Sequence, residues 1–100
     1  MNHNWLNFLG LALSAGVVIT GEEMVVQAVR NQKVYLVILA EDISQHTFKK
    51  VTDKCRHYNV ECIQKSTSDQ LGHALGKSFR KVIGITDRKF AVALKNKINK

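Results

Sequence analysis

Two short polar segments carry the residue types that can bind a partner. Thr20-Gly21-Glu22-Glu23 opens a helical stretch, and Lys65-Ser66-Thr67 follows an extended one. Together they offer backbone donors, carboxylate acceptors, hydroxyls and one lysine. A carboxylate accepts from the ring N–H and amino group of guanine, so acids at such a place are compatible with RNA. A helix start also presents unpaired backbone N–H groups and partial positive charge, which gives Glu22 and Glu23 a purely local role as partners of the helix dipole. If the strands before these segments run the same way, both segments lie at one edge of a sheet and form one surface.

The inventory for catalysis is thin. His3, His46, His57 and His73 are scattered, in no spacing that builds a triad or a metal site. Glu41 and Asp42 are adjacent at a strand end, where successive side chains point to opposite faces, so capping the next helix suits them better than acid–base work. Gly10, Gly16 and Gly21 fit neither a dinucleotide fingerprint nor a phosphate loop. Cys55, His57, Cys62 and His73 match no zinc spacing, and two cysteines are too few for a disulfide framework. The expectation is a non-enzymatic chain with no catalytic residue, no metal and no cofactor, its thiols reduced in the cytoplasm.

Charge narrows the class of partner. The formal net charge is +7, yet residues 1–40 carry only Arg30 and Lys33 of the 15 lysines and arginines. Such an excess favours a polyanion, because each phosphate contact releases counterions, although a solvated basic surface also serves solubility. Hydrophobic residues make up 45% of the 100 residues, enough for one core. No apolar run approaches the roughly 20 residues of a membrane span, and no basic leader opens the chain, so neither membrane nor export is expected.

The elements that must position the two polar segments follow from periodicity. Leu6, Leu9 and Leu13 share one side of a first helix, with Asn4 as a candidate cap and Gly16 as its stop. Val17 to Thr20 is strand-like, and Glu22 to Asn31 is a helix with Val25, Val26, Ala28 and Val29 on its buried side. Val34 to Ala40 is apolar at nearly every position, which predicts a strand covered on both faces. Asp42 or Ser44 caps a third helix through Phe48, Val51, Cys55 and Tyr58, with Lys49, Lys50, Asp53, Lys54 and Arg56 on its other face. Val60 to Gln64 is a strand, Ser68 or Asp69 caps a short helix ending near Gly76, and Lys81 to Thr86 is the last strand. Asp87 caps a final helix, and the lysine-rich end from Lys95 to Lys100 is expected to fray. Helices alternate with strands throughout, the pattern of an α/β/α sandwich with Leu36 to Ala40 at its centre.

These motifs resemble the kink-turn-binding ribosomal-protein family, which includes archaeal ribosomal protein L-seven-Ae, eukaryotic L-thirty-e and short bacterial relatives. The likeness is carried by Gly10-Leu11-Ala12-x-x-Ala15-Gly16, by Gly21-Glu22-Glu23 with Val25-Val26, and by Leu36-Val37-Ile38-Leu39-Ala40-Glu41-Asp42. Thr47-x-Lys49-Lys50-x-x-Asp53-Lys54-Cys55, Gln70-Leu71-Gly72-x-Ala74-x-Gly76-Lys77 and Asp87-x-x-Phe90-Ala91 extend it over nearly the whole length, and with the Leu36-to-Asp42 motif they point to the bacterial YlxQ-type branch. The resemblance implies a three-layer α/β/α fold with a small, mostly four-stranded mixed sheet, and recognition of a sharply bent RNA with tandem sheared G·A pairs. Carried over by position, the RNA-binding residues are Gly21, Glu22, Glu23, Met24 and Gln27 at the second helix and Lys65, Ser66 and Thr67 in the later loop. Gly21 would allow close backbone approach, Glu23 would face a guanine edge, and Gln27 would offer an amide. This chain departs from the archaeal pattern, which has Asn-Glu where Glu23-Met24 stand, lysine at Gln27, lysines where Val17 and Ile19 stand, and Val-Pro in place of Lys65-Ser66.

Two functions follow. One is a single RNA-binding domain over residues 1–100, monomeric, with structured RNA such as ribosomal RNA as partner. The other is a protein-interaction module of the translation machinery on the same scaffold, with RNA binding weakened or lost.

Overall fold

The computed structural model describes residues 4–99, the side chain of Asn4 apart, so the cap expected at Asn4 and the last residue, Lys100, lie outside the described residues. Nine elements alternate: α1 (Asn4–Ser14), β1 (Val18–Thr20), α2 (Glu22–Arg30), β2 (Leu36–Leu39), α3 (Gln45–His57), β3 (Glu61–Gln64), α4 (Ser68–Ala74), β4 (Val82–Ile85) and α5 (Arg88–Ile98).

The four strands form one mixed sheet in the order β1-β4-β2-β3. β4 runs antiparallel to both β1 and β2, and β2 runs parallel to β3. β2 is therefore interior, as its unbroken apolar sequence requires, with all four residues buried. Its side chains alternate between two cores. Leu36 and Ile38 join Ile83 and Ile85 beneath Trp5 and Leu9 of α1, Leu71 of α4 and Leu94 of α5. Val37 and Leu39 face the other way, against Val25, Val26 and Val29 of α2 and Val51 and Cys55 of α3. The period of two thus sorts one strand between two helical layers, α1/α4/α5 and α2/α3. The result is a three-layer α/β/α sandwich.

Chain direction decides what each end of the sheet carries. β1, β2 and β3 all point the same way, and each is followed by a helix, so α2, α3 and α4 all begin at one end. β4 starts at that end and delivers α5 at the opposite one.

Of three expectations about ends, the first is resolved to one of its two alternatives and the other two are corrected. The cap of α3 is Ser44, whose Oγ accepts from the Thr47 N–H at 3.1 Å; Asp42 reaches elsewhere. α4 is capped by Thr67 rather than Ser68 or Asp69, in a reciprocal box where Thr67 accepts from Gln70 N–H and Gln70 Oε1 accepts from Thr67 N–H. The final helix does not fray at Lys95: it continues through Ile98, whose side chain is buried against the core.

Candidate nucleic-acid interface

The end of the sheet where α2, α3 and α4 begin gathers the residues singled out above. β1 and β3 point the same way, so Gly21 and the Lys65-Ser66-Thr67 segment do share this end. They sit on opposite flanks of it, separated by β4 and β2; three inter-strand steps of about 4.8 Å set them roughly 14 Å apart.

On the first flank, β1 stops because Gly21 takes a φ of 104°, a left-handed value that L side chains rarely adopt. The Gly21 N–H donates to the Val82 carbonyl at 2.9 Å, which anchors the turn to β4. α2 then begins without a side-chain cap, whereas α3 and α4 have theirs in Ser44 and Thr67. A Cβ built on Gly21 would meet nothing within 4 Å, so the backbone there is open to an approaching partner.

The two acids of the first turn are treated differently. Glu22 is half-buried: its Oε1 accepts from the Thr47 hydroxyl at 2.9 Å, and its Oε2 pairs with Lys50 Nζ at 2.9 Å. The Lys50 hydrogen bond and then that of Thr47 hold its carboxyl below the ordinary value of 4.5. Glu23 is 89% exposed and touches Lys50 through Oε2 alone, at 3.2 Å. The acids in turn hold the Lys50 ammonium above its ordinary range, Glu22 first. Met24 is 60% exposed, and Gln27 and Arg30 continue the solvent face of α2.

On the second flank, Lys65 N–H donates to Leu39 O at 2.9 Å, and Glu41 N–H donates to Ser66 O at 2.8 Å. Ser66 adopts a φ of 67°, a left-handed value that costs a non-glycine residue about 1–2 kcal/mol. Asp42 holds the strained loop in place: its two carboxylate oxygens accept from the Ser68 N–H at 2.7 Å and from the Ser68 hydroxyl at 2.6 Å. The hydroxyl bond first, then the amide bond, depresses the Asp42 carboxyl below its ordinary 3.8. Asp42 is thus a brace between the β2–α3 and β3–α4 loops. Lys65 and Thr67 are exposed beside it.

Between the flanks lies a segment that the sequence reading missed as part of the site. A concavity of about 410 Å³ is lined by Thr20, Gly21, Glu22 and Thr47 on one side and by Phe79, Arg80, Lys81 and Val82 on the other. Phe79 is 63% exposed, and Lys77 and Lys81 are exposed with it. The signal was legible as an aromatic set among Lys77, Arg80 and Lys81, a mixture that suits stacking on bases beside phosphate. What delivers the segment is Gly72. A Cβ there would lie 1.8 Å from the Ser78 carbonyl oxygen, so only glycine lets the chain return this closely over α4. Lys77 N–H then donates to Gly72 O at 2.8 Å, and Arg80 N–H to Ser68 O at 3.0 Å. Lys50 and Thr47 were likewise missed, because α3 alone places Lys50 on a solvated face and only the packing of α2 on α3 brings it to Glu22.

Among the described residues no three His, Cys, Asp or Glu side chains gather in a way that holds a metal ion. No described helix is long and apolar enough to cross a membrane.

Comparison with known proteins identifies the scaffold. Residues 3–94 match the model of the ribosomal protein L7Ae/L30e/S12e/Gadd45 family. The chain is 44% identical over 87 residues to the RNA-binding protein YlxQ of Bacillus subtilis (strain 168), covering 87% of each. It is 42% identical over 93 residues to the RNA-binding protein YlxQ of Enterococcus faecium, covering 93% of this chain and 89% of that one. A solved structure of a protein of unknown function from Bacillus halodurans C superposes with a TM-score of 0.94 at 45% identity, over 96% of this chain and 97% of that one. The 15.5kD RNA binding protein of Giardia lamblia superposes at 0.79 over 99% of this chain and 85% of that one; at 22% identity it shows the shared fold alone. The chain belongs to the L7Ae/L30e/S12e/Gadd45 family, on its YlxQ-type branch. That family is non-enzymatic, in agreement with the expectation of a non-catalytic chain.

Proposed function

From membership of this family, we propose that the chain is a non-catalytic RNA-binding protein, residues 1–100 acting as one monomeric cytoplasmic domain that recognises kinked RNA at the end of the sheet where α2, α3 and α4 begin. The observation that carries the reading is the open start of α2. Its first-turn N–H groups lack a side-chain cap, Gly21 leaves room for close approach, and the concavity beside it is walled by Phe79, Arg80 and Lys81. Backbone donors and the helix dipole favour a phosphate or a polar base edge, and the exposed aromatic offers a surface for an unstacked base. Glu23 supplies an acceptor for guanine donors, while Met24 and Gln27 extend the contact along α2. Lys65, Ser66 and Thr67 form the second flank against the same RNA. Two relatives above 40% identity that are named RNA-binding proteins support the assignment.

Electrophoretic mobility with a kink-turn RNA and a straightened control duplex, across a salt titration, tests it. The kinked RNA is expected to bind more tightly at every salt concentration, with both affinities falling as salt rises. Equal affinity for the two would leave only polycation behaviour and favour the alternative of a protein-docking module on the translation machinery.

A further inference from the structure

Two carboxylates in the first turn of a helix that approaches a polyanion work against that approach, since each repels phosphate. The protein answers the conflict internally, through α3. Ser44 Oγ donates to Thr47 Oγ1 at 3.2 Å, and Thr47 Oγ1 donates to Glu22 Oε1 at 2.9 Å. Lys50, one turn further along α3, closes the set with 2.9 Å to Glu22 Oε2 and 3.2 Å to Glu23 Oε2. Glu22 is thereby engaged on both oxygens and half-buried against α3. Glu23 is engaged on one oxygen only and stands almost fully in water. The other groups nearby are the His46 imidazole of α3 and the cations Arg80 and Lys81 that line the same concavity as Glu22.

Resting on the RNA-binding reading above, we propose that Lys50 is a positioning residue that sets the specificity of the site: it locks Glu22 as an internal counter-ion, offsets the charge of the turn, and leaves Glu23 as the single acceptor presented to paired N–H donors on a base edge. Lys50 acts through the acids and touches no RNA itself. When a guanine-type edge arrives, Glu23 exchanges its 3.2 Å bond to Lys50 for bonds to the base, and Lys50 keeps its shorter bond to Glu22. A phosphate arriving at the exposed Glu23 carboxylate itself is repelled by it, and the cations of the concavity, Arg80 and Lys81, lie beyond. Discrimination at this turn therefore favours a base edge over backbone.

Fluorescence anisotropy on Lys50→Met, Lys50→Arg and the double variant Lys50→Met/Glu22→Gln, with kinked and straightened RNA over a salt series, tests the proposal. Lys50→Met is expected to bind kinked RNA about tenfold more weakly, because it leaves Glu22 uncompensated, while straight-duplex binding changes by less than about twofold. Circular dichroism and thermal melting of each variant report an intact fold. Lys50→Arg and the double variant are each expected to recover most of the loss, and the salt slope of Lys50→Met should equal that of the wild type. Equal losses on both RNAs with a shallower slope would make Lys50 an ordinary phosphate contact and overturn the proposal. So would a double variant as weak as Lys50→Met, or a Lys50→Met protein that discriminates as the wild type does. A wild type that does not distinguish the two RNAs overturns the RNA reading, and this proposal with it.

Discussion

The two ends of the sheet are similar in composition and different in construction. Each has an exposed aromatic near an arginine: Phe79 beside Arg80 at one, and Tyr35 with the Arg88 guanidinium 5.8 Å from its ring centre at the other. Each has a concavity, about 410 Å³ beside Gly21 and about 250 Å³ among Tyr35, Arg88, Val92 and Lys95. Basic charge and aromatic surface therefore do not tell them apart. Backbone polarity does. At the first end three helices begin, and one of them is uncapped at an open glycine. At the second end α2 and α3 finish, and the one helix that starts there has its Phe90 N–H bound by Asp87 at 2.9 Å. Helix N-termini present N–H donors, so among the described residues the first end, with three helix starts and one of them uncapped, offers more unpaired main-chain groups to an anion or a base edge than the second. A binding site here is a consequence of strand direction before it is one of side-chain choice.

The most severe way to break the comparison removes the sheet that separates the two ends. Val37 is fully buried between β3 and β4 under α2 and α3, and Val37→Asp places there a charge with no partner. A loss of more than about 4 kcal/mol is expected, enough to abolish the folded state by circular dichroism. Gly72→Ala acts on one end only. Its methyl collides with the Ser78 carbonyl, so the 77–81 segment must shift, at a cost of about 2–3 kcal/mol in urea denaturation. Amide shifts should move around Phe79 and Arg80 while those around Tyr35 and Arg88 stay in place.

A sharper probe leaves stability alone. Restoring the family's residues with Glu23→Asn, Met24→Glu and Gln27→Lys should tighten kinked-RNA binding by about 1–3 kcal/mol in titration calorimetry, since Lys adds a cation and Met24→Glu moves the two-oxygen acceptor one residue along α2 and beside a new amide donor. An unchanged affinity with an intact fold would mean that this face of α2 does not read RNA.

The smallest effect is on pH dependence. Glu22 and Asp42 are both held below their ordinary values of 4.5 and 3.8. Their stabilisation is therefore complete above those values and is lost as the pH falls through the depressed ones. Asp42→Asn should lower the melting temperature slightly at pH 7 and flatten its decline as the pH falls below the ordinary carboxyl value of 3.8. A decline as steep as that of the wild type would remove Asp42 as the brace of the Lys65–Thr67 loop.

Much of this was legible in the residues. The unbroken apolar run at Leu36 to Ala40 determined an interior strand, and the spacing of Val25, Val26 and Val29 determined which face of α2 is buried, because solvent exclusion acts residue by residue along a periodic chain. Gly21 with two acids after it marked the start of α2 for the same local reason. Cap identity was less legible: Thr67 and Ser68, or Asp42 and Ser44, are all competent acceptors, and the choice falls to whichever backbone N–H the loop geometry brings within reach. Asp42 was taken from its own helix by Ser68, a residue 26 positions away. Non-local juxtaposition was not legible at all. Lys50 reads as solvated until α2 packs on α3, and Phe79 reads as a loop residue until Gly72 draws its segment over α4 to face Gly21. The sequence by itself determined the layers, the helix starts and the excess of positive charge, since these depend on short-range periodicity and composition. Only the tertiary structure decided which starts share an end and which cation answers which acid. Those depend on strand direction and helix packing, which join residues that the chain keeps far apart.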